Sequence, residues 1–203
     1  EHFKQTSKTG LVMVSFDTEL FGHWWFEGIA WLKEIIRKFH SYTAVALCTA
    51  SEYLQAYPPA HTISLPESSW GAGGHWHVWL NDETEWMWPV INRCEKQMEH
   101  LARKYGEEAG HLTKRILKQA ARELLLIEAS DWPFLITTGQ AKIYAINRFK
   151  EHVDRFDCLI GMLNSSNIDE GRLHDIEDID KGFQSLPVSD FILPPETFQK
   201  QEQ

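Results

Sequence analysis

The stretch SFDTELFGHWWFEG, residues 15–28, gathers an aspartate, two glutamates, a histidine and two adjacent tryptophans. Asp17 stands where the apolar run GLVMVSF hands over to polar residues. In barrels and open α/β folds, catalytic groups gather at the C-terminal ends of strands, so Asp17 is placed to transfer protons. A turn or helix-capping aspartate explains the position equally well. Glu19 lies two residues on. Two nearby carboxylates repel, so one holds its proton more tightly and becomes a general acid near neutral pH. His23 could serve as ligand, acid/base group or hydrogen-bonding core residue, and a single histidine favours the last. Trp24 and Trp25 cannot both face one core from a strand, because neighbouring side chains point to opposite faces. The run therefore reads as a loop lining a cleft.

Further chemistry-bearing residues follow. SSWG (68–71) and HVWL (77–80) put Trp70 and Trp79 in or beside a Gly- and Ser-rich loop. Core packing explains a loop tryptophan poorly. Stacking on the C–H face of a sugar ring, with acids and amides taking the hydroxyls, explains it better. Trp86 and Trp88, at a helix start, read as packing. HWH (75–77) would put both imidazoles on one side of a strand, but no carboxylate or cysteine completes a ligand spacing, so no metal is expected. GAGG (71–74) lacks the strand-then-helix setting of a phosphate loop, which argues against nucleotide binding. In EASDWPF (128–134), Pro133 is expected to stop the preceding helix. Asp131 and Trp132 then sit at its terminus, facing a cleft or anchoring a turn.

Which elements position these residues? GLVMVSF (10–16) and YTAVALC (42–48) read as buried strands. IAWLKEIIRKFH (29–40) has apolar residues at helical spacing. TASE (49–52) is a capping box opening a short helix that Pro58 and Pro59 end. Strand, helix, strand, helix implies parallel strands covered by helices. Residues 61–82 read as a long functional loop with a short strand at HWHVWL. Helices are expected over 84–105, 111–130 and 139–163. The segment IDEGRLHDIEDIDKGF is acidic and weakly patterned, and the end reads as a frayed tail.

The totals bound the function. The chain has 203 residues and a net charge of -9, which argues against nucleic-acid binding. No run of about 18 apolar residues exists to span a membrane. Cys48, Cys94 and Cys158 are separated and odd in number, which fits reduced thiols in the cytoplasm. The chain opens EHFKQTSKTG without an initiator methionine, so a fragment or processed piece is expected. Of nine tryptophans, all but Trp132 lie between Trp24 and Trp88, which points to a local task for them.

FDTELFGHWWFEG, SSWGAGG with VWLN, and ELLLIEASDWPF, in this order and spacing, resemble glycoside hydrolase family 57, most nearly its 1,4-alpha-glucan branching enzymes. The resemblance spans nearly the whole chain. It implies a helix-rich α/β plus α fold. Residues 1–82 would be the last strands and helices of an incomplete (β/α)7 barrel with a Trp-bearing substrate loop. Residues 83–203 would be an α-helical bundle domain. It implies Asp17 as general acid/base and Trp70 and Trp79 as linings of the glucan site. His23, Trp24, Trp25, Asp131 and Trp132 would lie near the cleft. The family's nucleophile is a glutamate on an earlier barrel strand, in a motif this chain lacks, so the chain alone is expected to be inactive. The implied reaction is a retaining double displacement, with the two carboxyls about 5–5.5 Å apart. The implied partners are α-1,4-glucan, such as amylose or glycogen, and the upstream barrel segment, with no cofactor. A family 57 α-amylase, a 4-α-glucanotransferase and a non-catalytic glucan-binding protein remain alternatives.

Overall fold

The computed structural model describes residues 10–42, 44–106, 109–165 and 168–192. It divides into two compact units, Glu1–Leu65 and Pro66–Gln203. The described residues hold seven helices and no strand, so the helix-rich part of the expectation is met.

In the first unit, the two expected strands form no ladder. Residues 10–16 carry no regular structure, and Val12, Met13 and Val14 are exposed; the described part of 42–48 is likewise irregular. Among the described residues no neighbouring segment takes up their N–H and C=O groups, and without one an apolar run does not become a strand. Helix α1 spans Gly28–His40, with Arg37, Lys38 and His40 in its last turn, where cations complement the dipole. Helix α2 spans Ala50–Ala56. It has the expected capping box: Thr49 Oγ1 accepts from the Glu52 N–H at 3.2 Å, and the Glu52 carboxylate accepts from the Thr49 N–H at 2.8 Å.

The second unit holds the core. Helix α3 spans Met87–Tyr105 and ends at Gly106, whose φ of 54° suits a residue without Cβ. Helix α4 spans His111–Ile127, α5 Asp131–Thr138, α6 Lys142–Asn164 and α7 Glu170–Ile179. The apolar stripe of α4 is buried as its spacing predicts: Ile116, Leu117, Ala120, Ala121 and Leu124 meet Phe149, Phe156 and Ile160 of α6 in one core. Small alanines let the two helices approach closely while the phenylalanines fill the space between them.

Three expectations are corrected here. Pro133 does not stop the long helix, which ends at Ile127; it occupies the first turn of α5, where no amide donor is needed. The weakly patterned acidic segment forms α7, which starts when the Asp169 carboxylate accepts from the Arg172 N–H at 2.9 Å and buries Leu173 and Ile176. HWHVWL is not a strand: Trp76–Val78 is a 3₁₀ turn, so His75 and His77 do not share a strand face, and both are exposed.

Candidate functional site

In the first unit, residues 20–24 form one irregular turn, kinked at Gly22 with φ of 106°. The adjacent tryptophans part company there. Trp25 packs inward, its ring 5.9 Å from Phe21 and 5.1 Å from Trp31, with Phe16 completing the cluster against Phe21 at 5.5 Å. Gly28 makes this possible, because a Cβ there would lie 2.9 Å from the Phe21 ring. Trp24 is turned to solvent, 72% exposed, with His23 edge-on at 4.9 Å and its Nε1–H donated to Glu19 at 3.3 Å. Asp17 is exposed just ahead of this turn, and its carbonyl accepts from Leu20 N at 3.1 Å.

The second unit contains a groove of about 660 Å³. Four indoles line it, Trp70, Trp76, Trp79 and Trp88, over an apolar floor that includes Met87, Ile91 and Pro133. Glu95 and Glu128 are the charged side chains among its lining residues. A mostly apolar concavity with a few polar groups is the usual form of a small-molecule site. Flat indoles suit the C–H faces of sugar rings, and carboxylates accept from hydroxyls.

Residues 66–82 carry three of these indoles, and they are tightly pinned. Ser69 N donates to the Gly74 carbonyl at 3.0 Å, and Ser69 Oγ donates to the His75 carbonyl at 2.6 Å. Gly71 passes so near that a Cβ would lie 2.5 Å from the His75 carbonyl oxygen and 2.9 Å from the Trp79 ring. Thr84, fully buried, donates to the Trp79 carbonyl at 2.9 Å and accepts from Asn81 N at 3.0 Å. Thr137 of α5 donates to the Val78 carbonyl and accepts from Asn81 Nδ2, both at 2.8 Å. Trp88 Nε1 also donates to the Trp79 carbonyl, at 3.2 Å. The Trp70 and Trp79 rings are thereby held 6.3 Å apart at 48°. Prepositioned platforms of this kind lose little entropy on binding.

Partial desolvation beside the groove pushes the Glu128 carboxyl up to about 7 although the residue keeps access to solvent, and the Glu95 carboxyl adds to the effect by charge and by hydrogen bonding. Glu128 also follows the last residue of α4, where the helix dipole disfavours an anion. A carboxyl tuned in this way shares a proton near neutral pH.

The site residues expected from sequence separate into distinct places. Trp70 and Trp79 line the groove. Trp132 is not among the lining residues; its Nε1–H is donated to the Leu126 carbonyl at 2.6 Å and its ring is stacked on His152 at 6.1 Å. Asp131 is exposed in the first turn of α5. His23 and Trp24 are exposed in the first unit, and Trp25 packs there. Trp76, Trp88, Glu95 and Glu128 were missed. Trp88 was read as packing, yet Trp88, Ile91 and Glu95 recur at helical spacing on α3 and form one stripe toward the groove, a signal present in the sequence.

A buried polar cluster lies within the helices. Glu123, His152 and Asp180 bring ligand-type atoms within 4.8 Å of one another. The positive charge there is the chain's own: Arg155 donates to Asp180 at 3.0 Å, and Arg148 to His152 at 3.1 Å.

Residues 90–191 match the family described as 1,4-alpha-glucan branching enzyme, C-terminal. A 1,4-alpha-glucan branching enzyme of Thermococcus kodakarensis is 40% identical over 97% of this chain and 30% of its own length. Its crystal structure, in complex with glucose and additives, superposes with a TM-score of 0.74 over 96% of this chain and 36% of that one. The family 57 branching enzyme of Pyrococcus horikoshii gives a TM-score of 0.72 at 40% identity, covering 96% of this chain and 38% of that one. The alpha-amylase AmyC of Thermotoga maritima gives 0.68 at 31% identity, covering 96% of this chain and 36% of that one. The chain thus spans about a third of the length of these relatives. With half of its length inside the matched region and nearly all of it aligned on these proteins, the chain belongs to the family described as 1,4-alpha-glucan branching enzyme, C-terminal.

Proposed function

We propose that this chain supplies the proton-transfer and glucan-gripping part of an enzyme that makes α-1,6 branches in α-1,4-glucan by double displacement. The groove of four indoles with Glu95 and Glu128 carries the reading. In the proposed reaction, a glutamate from the remainder of the enzyme attacks the anomeric carbon while Asp17 protonates the departing glucan oxygen. The glycosyl–enzyme is then displaced by a 6-hydroxyl of an acceptor chain, with Asp17 now taking the proton. Water competes with that acceptor, so the acceptor must be held and water kept away. Rigid indole platforms suit both needs.

In this reading residues 1–82 close the (β/α)7 barrel and 83–203 form the helical domain. The bare apolar surface of the first unit supports it. Val12, Met13 and Val14 are exposed in a segment without regular structure, and Ile29, Leu32 and Ile36 leave the apolar face of α1 exposed. Such surfaces need neighbouring strands and helices to cover them. The expected partners are amylose- or glycogen-type glucan and the upstream barrel segment.

The test compares the 203-residue chain with a version extended upstream, assaying α-1,6 linkages formed on amylose. The extended protein is expected to branch and the short chain to bind maltooligosaccharide without branching. Branching by the short chain alone would refute the division of labour. Products with only α-1,4 bonds from the extended enzyme would assign it instead to amylase or glucanotransferase chemistry.

A further inference from the structure

His152 is buried in the helical core at 1% exposure, together with the fully buried Glu123. Arg148 Nη2 lies 3.1 Å from His152 Nε2. A guanidinium can only donate, so Nε2 carries the lone pair and the ring proton sits on Nδ1. Nδ1 is 2.8 Å from Glu123 Oε2, to which it donates. The other Glu123 oxygen accepts from Gln119 at 3.0 Å, and Gln119 accepts from Arg122 at 2.8 Å. Arg155 also comes within 3.4 Å of Nδ1, but its nearer partner is Asp180 at 3.0 Å. The imidazole is therefore fixed in both tautomer and rotation.

Trp132 rests on the face of this ring, 6.1 Å away with 29° between the planes. Its indole N–H closes on the Leu126 carbonyl in the last turn of α4, a turn whose carbonyls lack helical donors. Trp132 thus ties the corner between α4 and α5 to α6. Glu128, Ala129, Ser130 and Pro133, on either side of it in sequence, line the groove.

We propose that His152, held between Arg148 and Glu123, is a positioning residue for the glucan groove: its imidazole is the fixed platform on which Trp132 sets the groove edge formed by residues 128–133. The proposal rests on the reading of the groove as a glucan site.

Two substitutions separate hydrogen bonding from stacking. His152→Asn keeps an amide donor for Glu123 and removes the ring. His152→Phe keeps a flat ring and takes the donor from Glu123 Oε2, leaving Glu123 only its bond from Gln119. The expected result is that His152→Asn retains helical circular dichroism and cooperative melting, yet weakens maltooligosaccharide binding about tenfold, because small displacements of a site edge are costly. The indole cross-peak of Trp132 should shift in the same variant. His152→Phe is expected to lose more stability and less affinity. In the unmodified chain, long-range imidazole ¹⁵N correlations should show the Nδ1–H tautomer at neutral pH.

Native binding with an unmoved Trp132 cross-peak in His152→Asn would overturn the proposal, as would an Nε2–H tautomer. If His152→Asn does not fold, the tautomer spectrum and the more exposed Arg148→Met variant decide in the same terms. If the unmodified chain binds no maltooligosaccharide, the glucan reading fails by itself. The Trp132 and Trp88 cross-peaks then still report whether His152 sets the corner.

Discussion

At the residue scale, Glu128 changes charge within the neutral range, with consequences for stability. Partial desolvation and the Glu95 carboxyl raise its folded pKa to about 7, above its ordinary 4.5. A raised carboxyl means that the fold holds the proton more tightly than the unfolded chain does. Its contribution to stability is full below about pH 4.5 and is lost as pH rises through about 7. Melting temperatures should therefore fall between about pH 4.5 and 7 and level off above that. Glu128→Gln should flatten that fall and melt higher than the unmodified chain at pH 8. An unchanged profile in the variant would remove the carboxyl from this role. Trp70 invites a second test. It is 76% exposed, so Trp70→Ala should leave stability within about 0.5 kcal/mol, as for surface substitutions generally. Maltooligosaccharide affinity, measured by calorimetry, should fall by about 1–3 kcal/mol if a sugar stacks there as a nucleobase stacks on an aromatic side chain.

At the element scale, the loop of residues 66–82 depends on close backbone approach. Gly71→Ala would place a Cβ 2.5 Å from the His75 carbonyl, which cannot swing aside as a side-chain tip could. The loop must shift, so the variant should be cleaved faster in limited proteolysis at 66–82 and lose maltooligosaccharide affinity, with its helical content intact. Native cleavage rates would show that the turn tolerates a Cβ. This scale also shows what the sequence made legible. The apolar stripe of α4 and the Thr49–Glu52 box stood at the right places, because each is a local pattern whose partners lie within a few residues. The run 10–16 has the composition of a buried strand but no ladder, because pairing is settled by a neighbour and not by the segment itself. Pro133 misled because the residue that ends one helix pattern can equally sit in the first turn of the next. The carboxyl pair of the groove was hidden for a similar reason: Glu95 lies on α3 and Glu128 just past the end of α4, and only the fold brings them together. The loop indoles were legible because a tryptophan among Gly and Ser has no core pattern to absorb it.

At the scale of the whole molecule, stability is unevenly distributed. The buried apolar core runs from Met87 to Ile176, entirely within the second unit. Residues 66–203 expressed alone should keep the helical spectrum and melt cooperatively. A non-cooperative melt would show that the core needs the first 65 residues. The first unit instead leans on its small cluster of Phe16, Phe21, Trp25 and Trp31.

The uncovered stretch Leu11–Phe16 has one more consequence. A run of exposed valine and methionine outside regular structure offers its backbone and apolar side chains to another copy of itself. Solutions of this chain should therefore self-associate as concentration rises, visible as a growing radius in dynamic light scattering. A single Val12→Lys should suppress that growth, because a repeated lysine along such a seam sets like charges against each other.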